Sequence, residues 1–410
     1  MKLYVALAVL RLIASVLFFG MIHPDEFFQS QEVMARHILP HDSVLRRELF
    51  VPWEFQLPNV NRSILFPALV VGVPYKVLEL LGVKLTGWLL LVTPRVLLCL
   101  VSFLIDVILY RIVGRLNRHQ KLDIQQKKQM QAILIFASSW TTLVFMCRPF
   151  SNTFETLVLA LCFGVLYLIH PSRRMGYGML HVQTILLGSL LAIGIFTRFT
   201  FPVFFFPLGV ELVRQQDTLL MITARKKDVM NSPSILRRLL TTISILIQGF
   251  IAFVSLAALF VVVDTLYFHP ELFTGEVDRA LFEKVAENTV IAPYNNFLYN
   301  IQYENLKQHG VHPRLTHLII NMPILFGPVF LNYLVQVLRF PDCSFFEIFS
   351  VFFPLICLSL APHQELRFLL PLVVPLHLFT ALSGRNGTKR FLVVLCPCCC
   401  HFLLLRIMDQ

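Results

Sequence analysis

Charged side chains are scarce in this sequence. Asp, Glu, Lys and Arg make up 14% of the 410 residues, whereas soluble globular proteins carry about 25%. The hydrophobic share of 56% and the mean hydropathy of +0.71 leave too little polar surface to cover a water-soluble particle. The composition therefore excludes a soluble protein and predicts an all-α polytopic membrane protein.

The sequence also lacks the features of a nucleic-acid-binding protein and of a secreted, disulfide-bonded protein. Its net charge is +11, but Lys and Arg lie in short loops between apolar runs and not along one face or tail of a soluble domain. Most of the nine cysteines fall inside apolar runs or in the cluster Cys396 to Cys400. Because apolar sequence brackets that cluster, we favour a membrane-embedded or lipidated patch over a metal site. We predict no nucleic-acid partner and no metal.

Apolar runs dominate the single membrane domain that we predict for residues 1 to 410. A run of about 20 apolar residues crosses a bilayer, and shorter runs can do so in a bundle. By that measure the sequence predicts about eleven spans, the first an uncleaved signal anchor. The predicted spans are residues 3 to 21, 88 to 112, 131 to 147, 154 to 169, 182 to 196, 202 to 213, 240 to 263, 315 to 338, 346 to 360, 369 to 382 and 391 to 405.

The segment 64 to 81 is apolar but contains Pro67, Gly72 and Pro74, so we interpret it as interfacial or re-entrant. With that choice all basic loops, including 114 to 130 and 214 to 238, share one side of the membrane. The positive-inside rule makes that side cytosolic.

The opposite, lumenal side holds two long acidic loops, residues 23 to 62 and 264 to 314, and five short polar clusters. Charges at membrane ends are costly unless they are paired or hydrated, so converging clusters indicate a cavity. We expect no glycan on Asn61, beside that cavity, or on the cytosolic Asn386. The five clusters are His23 to Glu26, Arg148 to Thr153, Thr197 to Thr200, Asp264 with Thr265, and His363 to Arg367.

An acidic pair can act as a general base, and facing arginines or histidines can hold a phosphate. The sequence lacks a glycine-rich loop for a nucleotide and a cytosolic domain to bind a soluble sugar nucleotide. These residues therefore favour group transfer from a lipid-linked phosphate donor.

Several specific motifs occur in order between about residues 20 and 380. The first runs from His23-Pro24-Asp25-Glu26-Phe27-Phe28-Gln29-Ser30 to Glu32-Val33-Met34-Ala35. The others are Asn152-Thr153, Thr197-Arg198, Val263-Asp264-Thr265, Asn295 to Asn300, His309-Gly310, Arg314 to His317 with Asn321, and His363 to Leu369. Together these motifs resemble glycosyltransferase family 22, in particular its branch that adds the fourth mannose of glycosylphosphatidylinositol (GPI) anchors.

The resemblance implies a GT-C multispan fold in the endoplasmic reticulum membrane, with a lumenal active site. The implied reaction adds mannose from dolichyl-phosphate mannose to the third mannose of a GPI precursor glycolipid, through an α1,2 bond and with inversion. No cofactor is implied besides the lipid-linked donor. Related enzymes usually continue beyond the position of Gln410, so a shortened isoform is one interpretation.

Two alternatives remain open at this point. The first is a sister enzyme that adds the third GPI mannose or mannosylates dolichol-linked oligosaccharides. The second, of another class, is a non-enzymatic lipid transporter or scaffold, although the sequence shows no internal repeat of the kind that many transporters have.

The motifs suggest a role for each candidate site residue. By position and family pattern, Asp25 is the predicted catalytic base and Glu26 orients it or the acceptor; helix capping is the alternative for Asp25. His363 and Arg367 are predicted to bind the donor phosphate, with Arg198 in reserve, unless Arg367 pairs with Glu365 or a phospholipid. The predicted acceptor-binding residues are Asn296, Tyr299 and Asn300, for which an ordinary solvated loop is the alternative.

Overall fold

The structure, a computed structural model, is predominantly helical and so confirms a helical architecture for this apolar chain. It describes all residues except 170–179, 228–232, 274–278, 309, 340–342, 383–390, 396–401 and 407–410. The Cys396 to Cys400 cluster and Asn386 lie outside the described residues.

Helices follow one another with short connections, and π-helical or 3₁₀ turns occur where the chain bends. The α-helices are Lys2–Leu17, Glu32–Ile38, Val44–Arg47, Leu65–Pro67, Val73–Leu80, Gly87–Leu116, Leu122–Ser138, Trp140–Phe145, Ser151–Leu168, Val182–Thr197, Phe201–Lys227, Ile235–Phe268, Arg279–Glu287, Ala292–Ile301, Tyr303–Gln308, Met322–Arg339, Phe345–Ser359 and Val373–Leu382. The π-helices are Phe27–Gln31, Ala68–Gly72 and His317–Asn321, and the 3₁₀ helices are Trp53–Phe55, Pro270–Phe273 and Leu366–Leu372.

The helices that could span a membrane are fewer, among the described residues, than the eleven spans that the sequence predicts. Within the described residues, four helical stretches are long and apolar enough to cross a membrane: Gly87–Leu116, Ser151–Leu168, Ile235–Phe268 and His317–Arg339. Three shorter apolar helices accompany them: Val182–Thr197, Phe345–Ser359 and Leu366–Leu382. The predicted count of eleven is not confirmed, because apolar runs in the sequence do not always form single helices. The run 131 to 147, for example, is divided between two helices by the extended residue Ser139.

The last predicted span, residues 391 to 405, is wrong as a helix. The structure has an antiparallel pair of strands there, Phe391–Leu395 and Phe402–Arg406, with Phe391 opposite Arg406. Pro397 stands between the two apolar halves of the sequence, and its missing N–H group disfavours a continuous helix. The branched residues Val393 and Val394 suit a strand.

The centre of the bundle is formed by helices that are apolar on all sides. Every residue from Val373 to Ala381 is buried, as a helix without a polar face requires. Aromatic rings fill the space around it: Phe379 lies 6.3 Å from Phe163 and 5.9 Å from Phe346, measured between ring centroids. This packing fixes the positions of helices near the polar clusters.

Two further contacts inside the bundle set the positions of individual helices. A Cβ atom on Gly188 would lie 2.2 Å from the carbonyl oxygen of Gly249, so helices Val182–Thr197 and Ile235–Phe268 approach as closely as they do only because glycine is present. The buried Arg11 binds Asp106 through Nη1 at 2.8 Å and Nη2 at 3.2 Å. This ion pair connects the first helix, Lys2–Leu17, to helix Gly87–Leu116.

Candidate functional site

The first long loop, residues 23 to 62, is anchored by Glu26, whose side chain is completely buried between two arginines. Its Oε1 accepts hydrogen bonds from Nε and Nη2 of Arg95 at 2.8 and 2.5 Å, and its Oε2 accepts one from Nη1 of Arg148 at 2.7 Å. Arg95 also donates to the carbonyl oxygen of Phe18 at 2.6 Å, and Arg148 to that of Gly20 at 2.8 Å. The arginines therefore join the end of the first helix to the start of the loop.

Asp25, the neighbour of Glu26, faces a cavity instead. Its Oδ2 lies 2.5 Å from Nη1 of Arg367, and its Oδ1 lies 3.4 Å from Nδ1 of His23. No backbone N–H among the described residues donates to this carboxylate, so the helix-cap alternative is not what the structure shows. Burial raises the pKa of Asp25, but the His23 hydrogen bond and the Arg367 charge outweigh it and hold that pKa well below its ordinary value. Asp25 is thus ionised.

Arg367 lies between two carboxylates. Its Nε donates to Glu365 while its Nη1 contacts Asp25, so the alternative in which Arg367 pairs with Glu365 is realised. Glu365 in turn accepts a hydrogen bond at 2.7 Å from Nε2 of His363, and this bond raises the pKa of that imidazole. Burial raises the pKa of Glu365, but His363 and Arg367 together lower it well below normal. The result is a chain of alternating charges from His363 to Asp25.

These groups line a cavity of about 820 Å³. Seven of the eight site residues predicted from the sequence lie on its wall, and Glu26 does not. The polar part of the lining consists of His23, Asp25, Gln29, Glu54, Asn61, Arg62, Arg198, Thr200, Asn296, Tyr299, Asn300, His363, Glu365 and Arg367, with Trp53 beside them. The apolar part includes Pro202, Val203, Phe297, Ile301, Leu306, Cys357, Leu358 and Phe368.

Arg198 makes its polar contacts with residues of helix Ser151–Leu168. Its Nη1 donates to Oγ of Ser151 at 3.0 Å and to Oδ1 of Asn152 at 3.3 Å, and its Nε lies 3.5 Å from Oε2 of the buried Glu155. The Phe368 ring lies 5.1 Å from the guanidinium carbon of Arg198. Of the predicted phosphate ligands, Arg198 is therefore the least available.

The predicted acceptor-binding residues belong to helix Ala292–Ile301, which packs against the first loop. Nδ2 of Asn296 donates to the carbonyl oxygen of Asn61 at 2.8 Å, and Nδ2 of Asn300 donates to Oδ1 of Asn296 at 2.6 Å. The amide of Asn296 therefore holds the two loops together. The Tyr299 ring lies 4.9 Å from that of Trp53, between centroids.

Two carboxylates of the cavity were not among the predicted site residues, Glu365 and Glu54. Glu365 could have been found because it stands between His363 and Arg367 in one motif. It is extended in the structure, directly before the 3₁₀ helix Leu366–Leu372 that carries Arg367. Glu54 had no such signal, because only the folded loop brings it to Gln29, whose Nε2 donates to its Oε1 at 2.8 Å. Burial raises the pKa of Glu54, Arg62 lowers it and the charge of Asp25 raises it further.

Three of the five polar clusters line the cavity, and ion pairs or hydrogen bonds connect the other two to neighbouring residues. The Arg148 to Thr153 cluster is bonded to Glu26 through Arg148 and to Arg198 through Asn152. Oδ1 of Asp264 accepts hydrogen bonds from Ser63 Oγ at 2.9 Å and Ile64 N at 3.0 Å.

Within the part of the chain that the structure describes, no three His, Cys, Asp or Glu residues are grouped to hold a metal ion. The arrangement can bind an anion at Arg367 and accept a proton at a carboxylate.

Comparison with known proteins agrees with this chemistry. A family model described as the Alg9-like mannosyltransferase family matches residues 2–405. GPI mannosyltransferase 4 of Candida albicans is 31% identical over 86% of this chain and 62% of its own length. GPI alpha-1,2-mannosyltransferase 4 of Homo sapiens is 32% identical over 87% of this chain and 60% of its own length. No solved structure matches.

The chain spans about three fifths of the length of these relatives. GPI mannosyltransferase 4 of Saccharomyces cerevisiae gives the same proportion, 28% identical over 58% of its length. The matched region contains every residue that lines the cavity.

Replacing Glu26 with Gln should destabilise the fold, because it leaves Arg95 and Arg148 buried beside each other without their counter-charge. Breaking a buried ion pair costs roughly 3 to 5 kcal/mol. The expected result is a large fall in the melting temperature of the detergent-solubilised protein. Glu48→Gln, which changes an exposed carboxylate of the same loop, should melt like the wild type. Equal melting of Glu26→Gln and wild type would contradict the anchoring role.

The charge on His363 should make stability depend on pH. Since Glu365 raises the pKa of folded His363 above the ordinary 6.5, the stabilisation is complete below that pH and disappears as the pH rises through the folded pKa. The melting temperature of the wild type should therefore fall over this interval more than that of His363→Gln. His41→Gln, at an exposed histidine, should retain the wild-type slope. The same slope in His363→Gln would refute the prediction.

Proposed function

The chain belongs to the Alg9-like mannosyltransferase family, and we propose that it transfers mannose from dolichyl-phosphate mannose to the third mannose of a GPI precursor. The new bond is α1,2 and the product carries the fourth mannose. The names of the relatives, GPI mannosyltransferase 4 and GPI alpha-1,2-mannosyltransferase 4, support this choice of acceptor and linkage. The observation that carries the chemistry is the contact between Asp25 and Arg367 in the cavity.

The proposed setting is a GT-C fold in the endoplasmic reticulum membrane with the cavity on the lumenal side. Arg115 lies in the last turn of helix Gly87–Leu116, and Lys121 and Lys127 follow that end of the helix. Arg95, nearer the other end, binds the first loop. The positive-inside rule supports a cavity on the side away from the cytosol. A lumenal site suits a donor whose sugar is presented on a lipid and needs no nucleotide pocket.

In the proposed complex, the donor phosphate competes with Asp25 for Arg367. A guanidinium can hold two oxygens of a phosphate through parallel hydrogen bonds, and His363 adds positive charge nearby. When Arg367 turns to the phosphate, Asp25 keeps His23 but loses one of the partners that hold its pKa low. Binding of the donor thereby makes this carboxylate a stronger base.

The transfer itself is a single displacement. The hydroxyl oxygen of the acceptor mannose forms a bond to C1 of the donor mannose, and the bond between C1 and the phosphate oxygen breaks. The electron pair leaves with dolichyl phosphate, and the hydroxyl proton passes to Asp25. A β-linked donor gives an α-linked product in this way.

The alternatives differ in their acceptor or in having no chemistry. A third-mannose or dolichol-linked-oligosaccharide enzyme would use the same donor, and a lipid transporter or scaffold would transfer nothing. Membranes containing only this chain, given labelled dolichyl-phosphate mannose and one acceptor at a time, separate these functions. Label in the trimannosyl GPI precursor supports the proposal. Label only in another acceptor, or in none, refutes it.

Asp25→Asn should lower turnover by roughly 10²- to 10⁴-fold, the usual contribution of a general base. The donor KM should not rise, because the substitution also frees Arg367 from a competing carboxylate. Steady-state kinetics in proteoliposomes would measure both constants. Asp42→Asn, at an exposed position of the same loop, is the matched control. Wild-type turnover in a folded Asp25→Asn enzyme would overturn the assignment.

Arg367→Lys should raise the donor KM and leave the acceptor KM nearly unchanged, since lysine keeps the charge but cannot form the paired hydrogen bonds. Loss of a charged hydrogen bond of about 1.5 to 3 kcal/mol predicts an increase of roughly 10- to 100-fold. Arg314→Lys changes an exposed arginine and should have no effect. An unchanged donor KM in Arg367→Lys would remove Arg367 from phosphate binding.

A further inference from the structure

A second group of side chains lines the cavity outside the network of Asp25 and Arg367. Trp53 and Glu54 lie on the short turn Trp53–Phe55, and Tyr299 lies on helix Ala292–Ile301. Trp53 is 44% exposed, although Phe55, two residues later, is buried in the core of the loop. The structure thus leaves a large aromatic surface available at the cavity.

Trp53 and Tyr299 form one aromatic surface from two different loops. Their ring centroids are 4.9 Å apart, and the ring planes are tilted by 41°. Backbone hydrogen bonds within the loop fix the turn that carries Trp53. The N–H groups of Asn61 and Arg62 donate to the carbonyl oxygen of Glu54 at 2.9 and 3.1 Å. The aromatic surface is therefore built before any ligand arrives.

The carboxylate of Glu54 has bonding capacity left. Its Oε1 accepts the hydrogen bond from Gln29, but its Oε2 receives none from the described residues. Nε of Arg62 lies 3.8 Å from Oε1, too far for a hydrogen bond, and has no hydrogen-bond partner in the described part of the chain. Oε2 of Glu54 and Nε of Arg62 therefore lie on neighbouring side chains, and neither makes a hydrogen bond within the described residues.

We propose that Trp53, Glu54 and Tyr299 form a pyranose-binding subsite that holds the acceptor glycan. This inference rests on the proposed function, which supplies a neutral mannose chain as the acceptor. Aromatic side chains offer an apolar face with a polar edge, which matches the C–H face of a pyranose. A carboxylate accepts hydrogen bonds from two hydroxyl groups at once.

Charge separates this subsite from the donor's. A phosphate is attracted to Arg367 and His363, whereas in this subsite the carboxylate of Glu54 offsets the charge of Arg62, 3.8 Å away. A neutral sugar needs no net charge and gains hydrogen bonds to the Glu54 carboxylate, which are stronger than those between neutral groups. The Glu54 wall therefore suits the acceptor, and the Arg367 wall suits the donor.

Intrinsic fluorescence can test the subsite without any turnover. The chain has three tryptophans, so Trp88→Phe with Trp140→Phe leaves Trp53 as the sole reporter in the full-length protein. Titration with a neutral α-linked mannotriose should change the Trp53 emission in a saturable way. Glu54→Gln in this background should weaken the apparent affinity about 10-fold or more, because it removes a charged hydrogen-bond acceptor. Glu48→Gln should not change it.

Kinetics provide the second measurement. Trp53→Ala should raise the KM for the GPI acceptor at least about 10-fold with the donor KM unchanged, and Trp53→Phe should restore most of the affinity, since it keeps an aromatic face. A purely structural role would instead lower turnover and affect both substrates alike. Equal effects on both KM values, or none on either, would overturn the subsite.

The two experiments distinguish failure of the subsite from failure of the proposed function. Saturable emission changes that depend on Glu54, in a protein without mannosyl transfer, would keep the glycan subsite and reject the reaction. Normal transfer with unchanged acceptor KM in Trp53→Ala would keep the reaction and reject the subsite. No response of Trp53 to mannotriose, together with no selective kinetic effect, also rejects it.

Discussion

The candidate site depends on one buried carboxylate. Glu26 is bonded to Arg95 on helix Gly87–Leu116 and to Arg148, which precedes helix Ser151–Leu168. Both arginines also donate to backbone carbonyl oxygens just after the first helix. Charges buried at this depth are tolerated only when each has its partner, so the three groups fix one another. Because Asp25 precedes Glu26 directly in the chain, fixing Glu26 also fixes the direction in which Asp25 points. The chemistry of the cavity is therefore set by an ion cluster that does not line it.

The sequence identifies the acidic pair Asp25 and Glu26, but it does not show which carboxylate faces the cavity and which binds the buried arginines. Successive residues of a helix differ by about 100° around its axis, which is enough to place one carboxylate among buried arginines and its neighbour in a cavity. The choice depends on where Arg95 and Arg148 lie, and both are far from the pair in the chain. The same limit applies to Glu54, whose neighbours come together only when residues 53 to 62 close into a loop. By contrast, the family resemblance and the cavity between polar clusters followed from local motifs. The family match agrees with the first, and residues of three of the five clusters line the cavity.

The limits of the span prediction have a different cause. Hydropathy records whether a segment prefers lipid but not whether it remains one helix. Ser139 interrupts one apolar run, and Gly327, with φ of 42°, kinks helix Met322–Arg339. Both breaks occur inside apolar sequence, where packing and backbone conformation, not polarity, decide the outcome. Segment 64 to 81 is helical in short pieces from Leu65 to Leu80, and its interfacial or re-entrant position stays a prediction.

The electrostatics of the cavity match the proposed reaction in one more respect. Transfer moves a proton to Asp25 and leaves additional negative charge on the phosphate, so one unit of negative charge passes from carboxylate to phosphate. In the structure Asp25 is within hydrogen-bonding distance of Arg367, and in the proposed complex the phosphate is bound to the same guanidinium. The negative charge therefore moves from a carboxylate that Arg367 has left to a phosphate that Arg367 binds, and the total charge of the site is unchanged. In a site of low dielectric constant, where isolated charges are costly, this arrangement ends with the charge beside its cation. Glu365 completes it, because its bond to Arg367 keeps the guanidinium in place while its other ligand changes.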